Sequence, residues 1–159
     1  MQKTAAVTHK TPTKSILDLQ NLYELGHLNL DPGFQRQSVW IERDRRKLID
    51  SVLRNYPLPA IFLYKREDEG KLVFDVIDGK QRLESILMFT GLMRGRFETR
   101  SQLPGVDTID WINWQLLKRK GLQHLITGYE IPVIEVDGGI GEIIDVFVRI
   151  NSTGKALTQ

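Results

Sequence analysis

The most constraining feature of the sequence is an abrupt change of hydrophobic period at Asp78-Gly79. Residues 72–77 (LVFDVI) are rich in the β-branched and aromatic side chains that favour strands. From Leu83 onward the side chains repeat at the three- and four-residue spacing of a helix, and Gly91 follows as a stop signal. The sequence therefore predicts a buried strand, a tight turn and a helix without spare residues between them.

A junction of this kind is a natural anion site. The first N–H groups of a helix have no intrahelical partner and lie at the positive end of its dipole, and Gly79 lets a ligand approach the backbone closely. Lys80 and Arg82 add cations, Asp78 can hold Mg²⁺ or position a water, and Gln81 can orient that water. We predict that Gly79, Lys80 and Arg82 hold phosphates and that Asp78, Gln81 and Arg82 are catalytic.

A simpler interpretation of these residues stays open. Asp78 could cap the helix, with Gln81 three residues later completing a capping box, and Lys80 and Arg82 could be solvated. Taken alone, the loop favours this interpretation, because short motifs often occur by chance.

Two further polar clusters could join the loop. Gln35 and Arg36 lie between an Asp-Pro-Gly turn and an apolar segment, and Arg149 and Asn151 are predicted at the end of the last helix. Each cluster also has a structural explanation. The first could belong to a surface hydrogen-bond network, and the Asn-Ser-Thr-Gly sequence that contains Asn151 could end the helix. We predict that all four residues line the phosphate site.

The rest of the chain predicts one domain of the α+β class. A length of 159 residues suits a single core, and residues 1–14 are polar enough to form a flexible arm before a domain at 15–159. The other elements follow from caps, turn signals and period. They are, in chain order, a helix from Ser15 to Gly26, a short strand at 27–30, a helix at 41–55, a hairpin of strands 60–64 and 72–77 joined by charged residues 65–70, an insertion with helical parts at 94–128, an edge or irregular strand at 129–136 containing Pro132, and a helix from Ile140.

Composition excludes several kinds of site. The chain has no cysteine, which removes disulfides and thiolate chemistry, and its three histidines are too scattered for a local zinc motif. No apolar run is long enough to cross a bilayer and the N-terminus lacks the apolar core of a signal peptide. We therefore expect a cytoplasmic protein with no membrane partner.

A DNA-binding module is the main alternative function. The net charge of +2 does not indicate one, but local basic segments could bind backbone phosphates. Trp111 and Trp114 could stack bases, although helical spacing of this kind more often indicates core packing. A third interpretation is a non-catalytic domain that binds another protein. The candidate DNA-backbone contacts are Arg43, Arg46, Lys47, Arg94 and Arg96.

Five segments of the chain, taken in order, resemble the N-terminal domain of GmrSD-type restriction systems. They are FQRQSVW, the basic helix after it, NYPLPAIFLY, VFDVIDGKQRLESI and FVRINSTGKALT. The resemblance runs from about Ser15 to the C-terminus, and its most specific element is the family's Asp-Gly-Gln-Gln-Arg signature. Lys80 stands here in place of the first Gln of that signature, and Glu84 and Ser85 replace two threonines that the family favours.

The resemblance implies a fold, a ligand and a partner. The fold is similar to ParB and sulfiredoxin, with a small mixed sheet flanked by helices. The activity is nucleotide binding and, in some members, Mg²⁺-dependent hydrolysis that regulates DNA cleavage by a C-terminal nuclease region, often against modified phage DNA. We therefore expect a nucleoside-triphosphate-hydrolysing regulatory domain of an anti-phage system, with the nuclease effector outside these 159 residues.

Overall fold

The protein is described by a computed structural model covering residues 7–32 and 40–157, with side chains as far as residue 150. The described residues form a six-stranded mixed sheet, a two-stranded sheet and six helices, which confirms the predicted α+β class. The strands are β1 Val7–Lys10, β2 Thr13–Ser15, β3 Leu28–Asn29, β4 Ile61–Asp68, β5 Lys71–Asp78, β6 Thr99–Ser101, β7 Asp110–Ile112 and β8 Glu130–Gly138. The helices are α1 Ile16–Glu24, α2 Glu42–Leu53, α3 Lys80–Phe89, α4 Trp114–Arg119, α5 His124–Thr127 and α6 Ile140–Leu157.

The large sheet has the strand order β1-β8-β4-β5-β3, and β2 also pairs with β8. β4 and β5 form the predicted antiparallel hairpin, whereas β3 runs parallel to β5 and β4 runs parallel to β8. Parallel strands end at the same edge of a sheet. The chain that leaves β3 at Asp31 therefore lies beside the chain that leaves β5 at Asp78.

The hairpin strands are longer than predicted. Residues 65–68, expected to be part of a charged connection, continue β4, and the turn is reduced to Glu69-Gly70, both with positive φ. The reason is cross-strand pairing: the Arg66 guanidinium donates to the Asp75 carboxylate at 2.8 Å. Asp75 is buried and also accepts from the Asn29 amide at 2.9 Å, so these charges stabilise the sheet instead of disrupting it.

The segment before α1 differs from the prediction of a flexible arm. Residues 7–15 contain two strands that pair antiparallel with β8, while residues 1–6 lie outside the described part. β8 is therefore an interior strand, and the prediction of an edge position from Pro132 is wrong. Pro132 fits in the sheet because the pairing of β8 with β4 starts one residue later, at Val133. The Val133 N–H donates to Pro12 O at 3.1 Å.

Helices cover the two faces of the sheet unequally. One face packs against α1 to α5 and forms the main core, which includes Ile49, Leu63 and Ile131. The other face carries a smaller cluster in which α6 places Ile143 and Phe147 with strand residues such as Ile77. No helix within residues 7–32 and 40–157 is long and apolar enough to span a membrane.

The insertion at 94–128 contains strands as well as helices. Trp111 lies on β7, which pairs with β6, so the stripe predicted from Trp111 through Trp114 is helical only from Trp114 onward. Asn113 caps α4 by accepting from Leu116 N–H at 2.8 Å. The cap sets the helix start and separates the two tryptophans.

We predict that Gly79→Ala lowers the free energy of unfolding by about 2 kcal/mol. Gly79 has a φ of +106°, and an added Cβ would lie 2.9 Å from Ile61 Cγ1 on β4. Gly105→Ala is the matched control, because Gly105 has a φ of +76° and open space at the same position. Urea unfolding should show the larger loss for Gly79→Ala, and equal losses would mean that the contact with Ile61 is unimportant.

Candidate functional site

The DGKQR loop, residues 78–82, joins β5 to α3 as predicted. Gly79 is the N-cap of α3 in the left-handed conformation, and as a glycine it contributes no side-chain cap. The alternative of an Asp78–Gln81 capping box is therefore wrong. The N–H groups of the first turn of α3 lie at the positive end of the helix.

Arg82 is the anchor of the loop. Its guanidinium donates to Pro59 O and, at 3.1 Å, to Ala60 O, and it lies 3.7 Å from Asp78 Oδ2. Its side chain is only 12% exposed, and this desolvation lowers the Arg82 pKa, although Asp78 opposes the shift. The geometry gives Arg82 a positioning role: it ties the start of α3 to the chain entering β4.

Asp78 is the last residue of β5 and the first residue of the DGKQR loop. Burial raises the pKa of its carboxyl group above the usual value, while Arg82 and a hydrogen bond from Gly79 N–H oppose that shift. The side chain is 39% exposed, so its oxygens remain accessible. No group of three or more acidic or histidine side chains that could enclose a metal occurs in the described part of the chain. A Mg²⁺ ion at Asp78 would need phosphate oxygens and waters as its other ligands, which is common for this ion.

Lys80 and Asp31 form an ion pair at the shared edge of β3 and β5. Asp31 is 77% exposed and Lys80 22% exposed, so the pair meets solvent. Exposed pairs contribute little to stability and exchange partners readily. Lys80 is thus a cation held in place beside the helix N-terminus by a partner that an anionic ligand can replace.

Gln81 is turned toward α2. Its Oε1 accepts from the Arg45 guanidinium at 3.2 Å and from Trp40 N–H at 3.4 Å. Arg45 also donates to Ser85 Oγ at 2.9 Å, and Ser85 donates to Gln81 O at 2.7 Å. Sequence reasoning missed Arg45. The signal was its position three and four residues before Leu48 and Ile49, which puts it on the buried face of α2.

Gln35 and Arg36 lie outside the described residues, but both flanks of their segment reach the loop. Asp31 pairs with Lys80 on one side, and Trp40 N–H contacts Gln81 on the other. Trp40 also packs partly buried against the core, as expected. The described residues on both sides of segment 33–39 therefore contact the DGKQR loop.

Arg149 and Asn151 are both within α6, which continues to Leu157, so the prediction that the helix ends near Asn151 is wrong. Arg149 pairs with Asp145 at 3.1 Å and is 79% exposed, and the side chain of Asn151 is outside the description. α6 starts just after β8 and packs Phe147 in one cluster with Ile77, the residue before Asp78. Arg149, two residues beyond Phe147, thus lies on the part of α6 that follows this contact.

The candidate DNA contacts divide into two groups. Arg43 and Lys47 are exposed on α2, and Arg94 is exposed after α3. Arg46 donates to Glu98 O at 3.1 Å and pairs with Glu42 at 3.3 Å, and it lines a cavity together with Arg96. The structure therefore brings Arg46 and Arg96 together, although 50 residues separate them.

The sequence matches a known protein family. The family described as "GmrSD restriction endonuclease, N-terminal domain" matches residues 16–103, more than half of the chain. The chain belongs to this family. The match begins at α1 and includes α2, the DGKQR loop and β6, whereas Arg149 and Asn151 lie beyond it. No curated protein matches the sequence. Membership confirms the resemblance and indicates that this GmrSD N-terminal domain is a component of a restriction system.

We predict that Arg82→Ala destabilises this GmrSD N-terminal domain by about 2 kcal/mol, because two backbone carbonyls and Asp78 lose a charged donor. Arg82→Lys should recover only part of the loss, since one ammonium group cannot reproduce the planar fork. Arg149→Ala, at an exposed position, should leave the urea midpoint unchanged. An Arg82→Ala variant as stable as wild type would rule out the anchoring role.

A second prediction concerns acid. Because the pKa of Asp78 is raised in the folded state, the folded protein binds more protons than the unfolded chain between the ordinary and the raised pKa. Stability from this group is therefore present at low pH and is lost as pH rises through that window. Asp78→Asn should gain stability relative to wild type between about pH 4 and about pH 7 in urea titrations. If the difference in the free energy of unfolding between Asp78→Asn and wild type became smaller with rising pH, the raised pKa of Asp78 would be contradicted.

Proposed function

We propose that the domain binds a nucleoside triphosphate at the DGKQR loop and hydrolyses it, and that this regulates a restriction system directed against phage DNA. The observation that carries the proposal is the solvent-facing Lys80–Asp31 ion pair beside the N-terminus of α3, where Gly79 is the N-cap. Together they supply a mobile cation and a row of backbone N–H donors at one point. Phosphate groups are recognised by this combination in many nucleotide sites.

The structure supports a division of roles within the loop. Lys80 and the N–H groups of the first turn bind phosphate oxygens, with Gly79 allowing their close approach. Arg82 holds the loop against β4, and Arg45 holds Gln81. As the sequence predicts, Gln35, Arg36, Arg149 and Asn151 are the further residues proposed to line the phosphate site.

Asp78 is the proposed reactive carboxylate. Asp78 has two alternative roles. It would hold Mg²⁺, which would supply charge neutralisation for the phosphates, or it would take a proton from the attacking water, for which the raised pKa of its carboxyl group in the metal-free protein is suited. In hydrolysis the water oxygen bonds to the γ-phosphorus, the bond from that phosphorus to the bridging oxygen breaks, and the diphosphate leaves.

Calorimetry with ATP and GTP tests the binding step through two variants with opposite expected effects. Lys80→Ala should weaken binding about tenfold or more, because a charged contact to phosphate is lost. Asp31→Asn should strengthen binding measured without Mg²⁺, because it removes the competitor for Lys80. Lys120→Ala, an exposed lysine at the end of α4, is the matched control and should bind like wild type. If wild type binds neither nucleotide, the proposal is lost and the protein-binding interpretation takes its place.

Phosphate release in the presence of Mg²⁺ tests the chemical step separately. Asp78→Asn should bind nucleotide but release no phosphate. A wild-type domain that binds nucleotide without releasing phosphate would be a nucleotide sensor, which would contradict hydrolysis and leave the binding site intact.

A further inference from the structure

A second surface lies on the other side of α2 from the DGKQR loop. Trp111 on β7 is 50% exposed, and two guanidinium groups lie near its ring, that of Arg46 at 5.1 Å and that of Arg100 at 5.8 Å from the ring centroid. Arg100 is the cross-strand neighbour of Trp111, and Arg46 reaches it from α2. Both guanidinium groups lie within cation–π distance of a ring that keeps half of its surface exposed.

Trp111 lines one of two neighbouring cavities. The first, of about 370 Å³, is lined by Arg46, Arg96 and Trp111, and the second, of about 190 Å³, by Trp114, Asn113 and Gln115. Arg96, Phe97 and Glu98 line both cavities, which therefore adjoin each other. We call the two cavities together the tryptophan groove, made of Arg46, Arg96, Phe97, Glu98, Trp111 and Trp114.

Hydrogen bonds and close packing hold the side chains of the groove in place. Thr99 Oγ1 donates to Arg46 O at 2.7 Å, and Arg46 Nε donates to Glu98 O at 3.1 Å, so the β6–β7 hairpin is fastened to α2. Gly91, with a φ of +82°, leaves the space in which the Arg96 guanidinium lies, since a Cβ there would be 2.5 Å from Arg96 Nη2. The positions of the two arginines are therefore set before any ligand arrives.

The chemistry of the groove fits an unpaired strand of nucleic acid. Arg46, Arg96 and Arg100 outnumber the two nearby carboxylates, Glu42 and Glu98, and they extend from α2 to β6, so they can meet successive phosphates. Aromatic side chains bind unstacked bases, and the Gln115 amide, which lines the second cavity, can bond base edges there. A duplex hides its base faces and would use only the arginines.

We propose that the tryptophan groove binds a single-stranded segment of nucleic acid, with Trp111 stacking on a base and the three arginines contacting phosphates. This binding site is separate from the proposed nucleotide site at the DGKQR loop. Arg43 and Lys47, expected from the sequence to contact DNA, do not line it, whereas Trp111 lines it and Arg100 lies beside the Trp111 ring.

Fluorescence anisotropy with labelled thymidine and uridine oligonucleotides tests the proposal. Wild type should bind the strands with an affinity that falls as salt rises, by a logarithmic slope of about 0.7 for each phosphate contacted. Trp111→Ala should weaken binding about tenfold, and Trp111→Phe should restore most of it, because any aromatic ring can stack. Arg100→Gln should reduce the salt slope, while Arg119→Gln, an exposed arginine at the end of α4, is the control and should not.

Several results would overturn the proposal. They are no strand binding by wild type at low salt, equal binding by wild type and Trp111→Ala, and equal affinity for a duplex of the same sequence. Thymidine monophosphate binding as well as the oligonucleotide would also overturn it, because the groove would then take a free nucleotide. If Trp111→Ala fails to fold, the Trp111→Phe and Arg100→Gln comparisons decide the matter.

Lys80→Ala separates this proposal from the nucleotide site. It should lose nucleotide binding and keep strand binding, whereas Trp111→Ala should do the reverse. Loss of both activities in either variant would mean that there is one site and not two.

Discussion

The guanidinium of Arg82 is the interaction on which the DGKQR loop depends. It satisfies the carbonyls of Pro59 and Ala60, which lead into β4, and it faces Asp78 at the end of β5. Burying an arginine is costly unless its donors are matched, and removing it would take the charged donor away from two backbone carbonyls and Asp78. The same contacts fix the start of α3. A residue used in this way has little freedom to follow a ligand, so the adaptable cation of the loop is Lys80.

The parallel pairing of β3 with β5 explains why another chain segment lies beside the DGKQR loop. It places the chain after Asn29 next to Asp78, and the Lys80–Asp31 pair forms across that edge. Trp40, on the other side of the segment that contains Gln35 and Arg36, also contacts the loop through its N–H, which donates to Gln81. An antiparallel β3 would have carried the same residues to the opposite edge of the sheet.

Helix α2 joins the two surfaces of the domain. Arg45 points to Gln81 and Ser85 of α3, whereas Arg46, one residue later and about 100° around the helix, contacts Glu98 and Trp111. The apolar face of α2, including Ile49 and Val52, is buried in the main core. A single rigid element therefore touches both proposed ligand sites, and packing holds it in one orientation.

The sequence alone determined the local features of this protein, because they depend on residues close together in the chain. The strand–Asp-Gly–helix junction, the helix that begins at Ser15, the helix at 41–55 and the α+β class were all predicted from period, caps and glycine. Family membership was also readable, since its signature occupies consecutive positions. Tertiary structure alone decided which charged side chains contact other protein groups and which can contact a ligand. Contacts between distant segments decide whether Arg82 binds a carbonyl or a phosphate, whether residues 7–15 pair with β8 and whether Arg46 contacts Trp111. The hydrophobic period of the sequence does not predict contacts of this kind.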